Sequence, residues 1–111
     1  MKEELLKIIN HYGIVHQQRK LNEEVFELQE AIIKHENKSP VVTAIESLNK
    51  IACSVSNQKY EMLSIKNIEE EFADVMVLLS QIKYYYELDS EKIEKIMKEK
   101  IARQLERMKN E

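Results

Sequence analysis

Residues 65–86, IKNIEEEFADVMVLLSQIKYYY, carry the strongest pattern in the chain. Ile65, Ile68, Phe72, Val75, Leu79, Ile82 and Tyr86 recur at steps of three and four, the spacing that keeps side chains on one side of an α-helix. A long helix over about 65–87 is therefore predicted. Within it, Glu69, Glu70, Glu71 and Asp74 crowd against an apolar run, and no basic residue follows Glu69 until Lys83. Ordinary salt bridging along a helix surface does not account for that arrangement.

The rest of the chain repeats the helical theme. A second stripe, Ile14, Leu21, Val25, Leu28 and Ile32, predicts a long helix over about 14–36. A short helix over 2–10 precedes it and breaks near Gly13, the only glycine. Ser39 before Pro40, the only proline, reads as the cap and first turn of a helix over about 40–59, with Val41, Ala44, Ile45, Leu48, Ile51, Ala52 and Val55 on its apolar side. Asp89 caps the last helix, to about 109, with Leu88 and Ile93 placed as a hydrophobic staple. With 111 residues, one glycine and one proline, the expectation is a single all-α domain of about five helices, its core built by the helices near 14–36 and 65–87. Val77 and Leu78 widen the apolar arc of the fourth helix beyond one stripe and point to a partner helix, hence an oligomer.

Composition narrows the functional classes. Cys53 is the only cysteine, so no internal disulfide forms and a reducing cytoplasm is expected. No stretch approaches the length of a membrane span, and MKEELLKIIN lacks the apolar core of a signal peptide. The formal net charge of −3 gives no general attraction for a nucleic acid polymer or an anionic membrane. The sequence contains neither a glycine-rich phosphate loop nor a Cys/His cluster for zinc. Basic residues gather late, with Lys92, Lys95, Lys98, Lys100, Arg103, Arg107 and Lys109 on the final helix, whereas acids concentrate at 23–30 and 69–74.

Advancing about 100° per residue from each core stripe places Glu24 about 60° and Glu27 about 120° to one side of the second helix. Glu71 and Asp74 fall at about the same offsets on the fourth. Two matched i, i+3 acid pairs facing one another repel, and hard divalent cations with oxygen preference offset that repulsion. Mg²⁺, or Mn²⁺ in its place, is the expected ion. A carboxylate di-iron bundle uses similar acids but takes Glu-x-x-His on two helices, and none of His11, His16 or His35 follows an acid at that spacing. Tyr85 points to the acid side and is a candidate for stacking on a base.

KLNEEVFEL (20–28) and EEFADVMVLL (70–79) resemble the MazG-like all-α nucleoside triphosphate pyrophosphohydrolases. That family carries an E-x-x-E pair on one helix and an E-x-x-D pair on a later one, matched here by Glu24-Val25-Phe26-Glu27 and Glu71-Phe72-Ala73-Asp74. Lys100, Gln104 and Arg107 are similar to its C-terminal Lys, Asn and Arg pattern, with Gln replacing Asn. The resemblance spans about 14–109, and 43 residues separate Glu27 from Glu71, a longer interval than in compact members.

It implies Mg²⁺ held by Glu24, Glu27, Glu71 and Asp74, and cleavage of a nucleoside triphosphate between its α and β phosphates. Glu23 is then the candidate to orient or deprotonate water. Lys20, Lys100, Arg103 and Arg107 are candidates for phosphate contact, and a homodimer or homotetramer is the expected assembly. The competing expectation is a non-enzymatic helical oligomer that binds a protein or senses a nucleotide.

Overall fold

The computed structural model covers all 111 residues and is all-α: α1 (Lys2–Tyr12), α2 (Ile14–Glu36), α3 (Pro40–Val55), α4 (Leu63–Tyr85) and α5 (Ser90–Lys109). The predicted caps form. Ser39 Oγ accepts from the Val42 N–H (3.3 Å), and Asp89 Oδ1 accepts from Glu91 N–H (2.9 Å) and Lys92 N–H (3.2 Å). Gly13 separates α1 from α2 at φ 89° and ψ 154°, a backbone conformation that side chains disfavour.

Two boundaries differ from the sequence expectation for a common reason. α3 stops at Val55 rather than near 59, because Asn57 takes φ 62° and the Gln58 N–H reaches back to Cys53 O (2.8 Å). α4 ends likewise, with Glu87 at φ 52° and the Leu88 N–H bonded to Lys83 O (2.9 Å). Both are Schellman-type ends, built on Asn and Glu where glycine is usual and therefore faint in sequence.

α2 and α4 form the central pair, and α1 packs across them. The pair is antiparallel: Gln17 meets Gln81, Glu24 meets Glu71, and His35 meets Ser64. Ile14, Gln17, Leu21, Glu24, Leu28, Ala31 and His35 line the seam on α2, each buried or half-buried, at alternating steps of three and four. Ser64, Ile68, Glu71, Val75, Leu78 and Ile82 do so on α4. This is the spacing with which helices pack side by side in coiled-coil-like seams.

The seam is rotated from the predicted stripes by about 50° on both α2 and α4, in each case toward the acids. Ile32, Ile65, Phe72, Leu79 and Tyr86, expected in the core, are exposed as a result. The apolar arc of α4 is too wide for one seam; its acid-side half packs within the chain and its other half does not. α3 and α5 pack against no other helix, and the whole apolar stripe of α3 faces outward. The Cα radius of gyration is 19.1 Å, against about 13 Å for a compact chain of this length. No helix is long and apolar enough to cross a membrane.

Candidate metal centre

Midway along the seam, where leucine or valine would ordinarily sit, α2 presents Glu24 and α4 presents Glu71. Glu24 is only 8% exposed. Its Oε1 pairs with Lys20 Nζ one turn earlier (3.2 Å), and its Oε2 is buried with no hydrogen-bond partner. Glu71 Oε2 is likewise buried and unpartnered. A buried carboxylate oxygen left unpaired costs about 1–3 kcal/mol, more when charged, so two facing one another strongly favour a cation between them.

Glu24, Glu71 and Asp74 each offer a carboxylate oxygen within 4.8 Å of the others. These three carboxylates would be the ones to hold a divalent cation, which takes hard oxygen donors. Glu27 completes the group from one turn further along α2. Its carboxyl is held above the usual range, chiefly by hydrogen bonding and charge repulsion from Glu24, then by burial and by Glu71. The donor set consists of carboxylates, with no thiolate or imidazole, and this suits Mg²⁺ or Mn²⁺ rather than zinc. Glu24, Glu71 and Asp74 are the residues that could hold an ion, with Glu27 beside them.

A cleft of about 430 Å³ opens directly beside the acids. Glu27 and Glu71 form its inner wall, and Lys34, Ser64 and Asn67 extend it outward. His35 Nδ1 hydrogen-bonds Ser64 Oγ at 2.8 Å and ties α2 to the start of α4 there. The cleft sets one cation, Lys34, and the neutral polar Ser64 and Asn67 beside three carboxylates, Glu27, Glu30 and Glu71, so an anionic ligand there would need a metal to balance the charge.

The remaining candidates are dispersed. Lys20 stands at the site, its ammonium held above its ordinary pKa by the Glu24 carboxylate. Glu23 lies on the solvent side, 3.6 Å from Lys20 and well exposed. Tyr85 is at the end of α4, edge-on to Tyr86, eleven residues or about 16 Å along the axis from Asp74. Lys100, Arg103 and Arg107 surround an open concavity of about 240 Å³ on α5, which does not pack against α2 or α4. Within one chain, the structure brings together the four acids and Lys20 but not the α5 cations or Tyr85.

Sequence reasoning overlooked the polar pair at the other end of the seam. Gln17 Nε2 donates to Gln81 Oε1 (2.8 Å), both side chains almost wholly buried. His16 Nδ1 donates to Gln17 Oε1 (2.8 Å) and stacks on Tyr12. The available signal was the three-four spacing that links Gln17 to Leu21 and Glu24.

Comparison with protein-family models, curated proteins and solved structures returns no match to this chain.

Proposed function

We propose that the chain is a Mg²⁺-dependent nucleoside triphosphate pyrophosphohydrolase of the MazG-like all-α kind, working as a homodimer or homotetramer in the cytoplasm. One observation carries this reading: Glu24, Glu71 and Asp74 on antiparallel helices converge with Glu27 beside them, and an oxygen of Glu24 and one of Glu71 are buried without a partner.

Glu24, Glu27, Glu71 and Asp74 would hold the ion. Bound there, Mg²⁺ or Mn²⁺ supplies Lewis acidity and neutralises phosphate charge. Lys20 offsets part of the acidic charge and stands ready for a phosphate oxygen. The cleft along Lys34, Ser64 and Asn67 gives the remainder of the nucleotide a place to lie. In the reaction, a water oxygen bonds to one phosphorus of the α–β anhydride while that phosphorus loses its bond to the bridging oxygen. The water proton passes to a base, for which Glu23 is the nearby candidate, and nucleoside monophosphate and pyrophosphate depart.

The test is incubation of the purified chain with a panel of nucleoside triphosphates and Mg²⁺, with pyrophosphate and monophosphate measured separately. Equal amounts of both are expected, and release of orthophosphate alone overturns the proposed bond cleavage. A second reading, a non-catalytic helical assembly, draws on the exposed apolar faces of α3, α4 and α5. It predicts assembly without turnover on any member of the panel.

A further inference from the structure

Of the four acids at the centre of the seam only Glu24 is ion-paired, and its partner is the Lys20 ammonium at 3.2 Å. Helix stability does not explain that pair. Glu four residues before Lys is the favourable order on an α-helix, and here the order is reversed. Nor is it an ordinary surface contact, since the Glu24 side chain is 10% exposed and that of Lys20 48%. A half-exposed cation reaches in to a buried carboxylate. Lys20 lies about 40° around α2 from Glu24, on the side where Glu27 lies about 60° away, so its stem runs along the acid face while its head group meets the seam. The same ammonium stands 3.6 Å from Glu23, which is well exposed. Lys20 therefore has an inner and an outer carboxylate within reach, and rotation of its flexible four-carbon stem is enough to pass between them.

We propose that Lys20 is an exchangeable counter-ion: its ammonium neutralises Glu24 until a divalent cation takes that carboxylate, and then leaves it for a phosphate oxygen of the incoming ligand. The inference rests on the metal site of the proposed function and adds to it a means by which ion and phosphate favour one another's binding.

Three features favour exchange over a fixed contact. Lys20 meets Glu24 Oε1, but Glu24 Oε2 and Glu71 Oε2 are buried without a donor, so one ammonium leaves the charge of the centre largely unmet. A divalent cation among those oxygens meets more of it and repels the ammonium. Next, no other lysine or arginine pairs with these acids, and α4 carries none between Lys66 and Lys83, so no second side chain competes for the place that Lys20 gives up. Finally, lysine is a compact, strongly hydrated charge with three rotatable donors, suited to changing partners, whereas the planar fork of arginine favours a fixed bidentate pair. The ammonium that the ion displaces is the one that phosphate takes, and by reciprocity each ligand raises the affinity for the other by the same factor.

The experiment is calorimetric titration of the chelator-stripped full chain with Mn²⁺, alone and in the presence of inorganic phosphate. Lys20→Met keeps the stem and removes the charge. It is expected to bind Mn²⁺ alone about tenfold more tightly than the wild type, the scale on which residues around metal ligands act, and to lose most of the gain in Mn²⁺ affinity that phosphate gives the wild type. Lys20→Arg, which keeps the charge, should stay near the wild type. Lys98→Met removes an i, i+4 pair from α5 (Lys98 Nζ to Glu94 Oε1, 3.4 Å) and should change neither quantity. Equal Mn²⁺ affinity in Lys20→Met and the wild type overturns the inference. Weaker binding in Lys20→Met overturns it too, because Lys20 then orients Glu24 for the ion instead of competing with it, and so does absence of Mn²⁺ binding in every chain. Should Lys20→Met fail to fold, NMR of the wild-type lysine side chains decides, with Lys20 assigned by its loss in Lys20→Arg. Its signal is expected to shift on addition of Mg²⁺ and again with phosphate, and an unmoved signal overturns the inference. None of these readouts depends on turnover. Tighter Mn²⁺ binding in Lys20→Met without pyrophosphate release by the wild type defeats the pyrophosphohydrolase reading alone, and unchanged binding with that release intact defeats the counter-ion alone.

Discussion

The α2/α4 seam contains two polar pairs that solve the same problem in different ways. At one end, Gln17 and Gln81 are buried together, and the amide of one donates to the carbonyl oxygen of the other. In the middle, Glu24 and Glu71 are brought to the same kind of position, yet a carboxylate oxygen from each is left without a donor. Neutral amides supply both halves of a hydrogen bond, whereas ionised carboxylates only accept. The Gln pair is therefore complete within the chain and can specify helix register, in the way that single polar seam residues do in coiled coils. The Glu pair is complete only with something positive added from outside.

That contrast is broken most directly at Glu71. Glu71→Gln turns one acid into the kind of residue found at the satisfied end, and pyrophosphate release from nucleoside triphosphates is expected to fall about 100-fold or more. The same change is expected to preserve or raise the thermal stability of the metal-free protein, because it removes a like-charge neighbour from the seam. Activity unchanged in Glu71→Gln defeats the site assignment. The metal itself gives the next largest effect. Mg²⁺ at a hundredfold excess over its Kd is expected to stabilise the wild-type chain by about 2.7 kcal/mol, read as a rise in melting temperature. Glu24→Gln should remove most of that rise, while Gln81→Leu should leave it intact.

The satisfied end is sharpened by its own cycle. Gln81→Leu strands the Gln17 amide in the seam and is expected to cost about 1–3 kcal/mol in denaturant unfolding. Adding Gln17→Leu should recover most of that loss, since two apolar groups of similar shape replace the pair without leaving a polar atom unpaired. If the double variant is less stable than Gln81→Leu alone, the Gln pair contributes more than mutual satisfaction, and the His16 hydrogen bond to Gln17 is the next place to look.

Helix order and the two core helices could be read from periodicity because Gly13, Ser39-Pro40 and Asp89 are strong punctuation. The Schellman ends at Asn57 and Glu87 could not, since neither residue advertises positive φ as glycine does. The acids were found by their pairing, but their phase was judged from the most apolar stripe. That stripe sums two sets of side chains, those in the internal seam and exposed ones such as Ile32, Phe72 and Leu79, so its centre falls between them and displaces Glu24 and Glu71 to a flank. Placing them in the seam needs the packing of α2 on α4, which no single helix encodes. Gln17 and Gln81 escaped for a related reason, as an amide in a seam looks like any other polar residue until its partner is known. Lys100, Arg103 and Arg107 show the converse: expected to contact phosphate, they lie on α5, which does not carry them to the acids within one chain.

The smallest expected effect concerns protons at the unsatisfied centre. The Glu27 carboxyl is held above its ordinary range, first by Glu24 and then by burial and Glu71, so folding raises its pKa relative to the unfolded chain. Such a group contributes stability that is fully present below the unfolded pKa and is lost as pH rises through the folded one. In chelator, the melting temperature should therefore fall as pH rises from the acid side of the carboxylate range toward neutrality. Glu27→Gln should flatten that part of the profile, and saturating Mg²⁺ at neutral pH should reduce the same loss in the wild type by replacing the proton. The Gln17/Gln81 end holds no titrating group in its pair, so Gln81→Leu should lower the whole profile without changing its slope. If Gln81→Leu alters the slope while Glu27→Gln does not, the charge at the centre of the seam is not what distinguishes its two polar pairs.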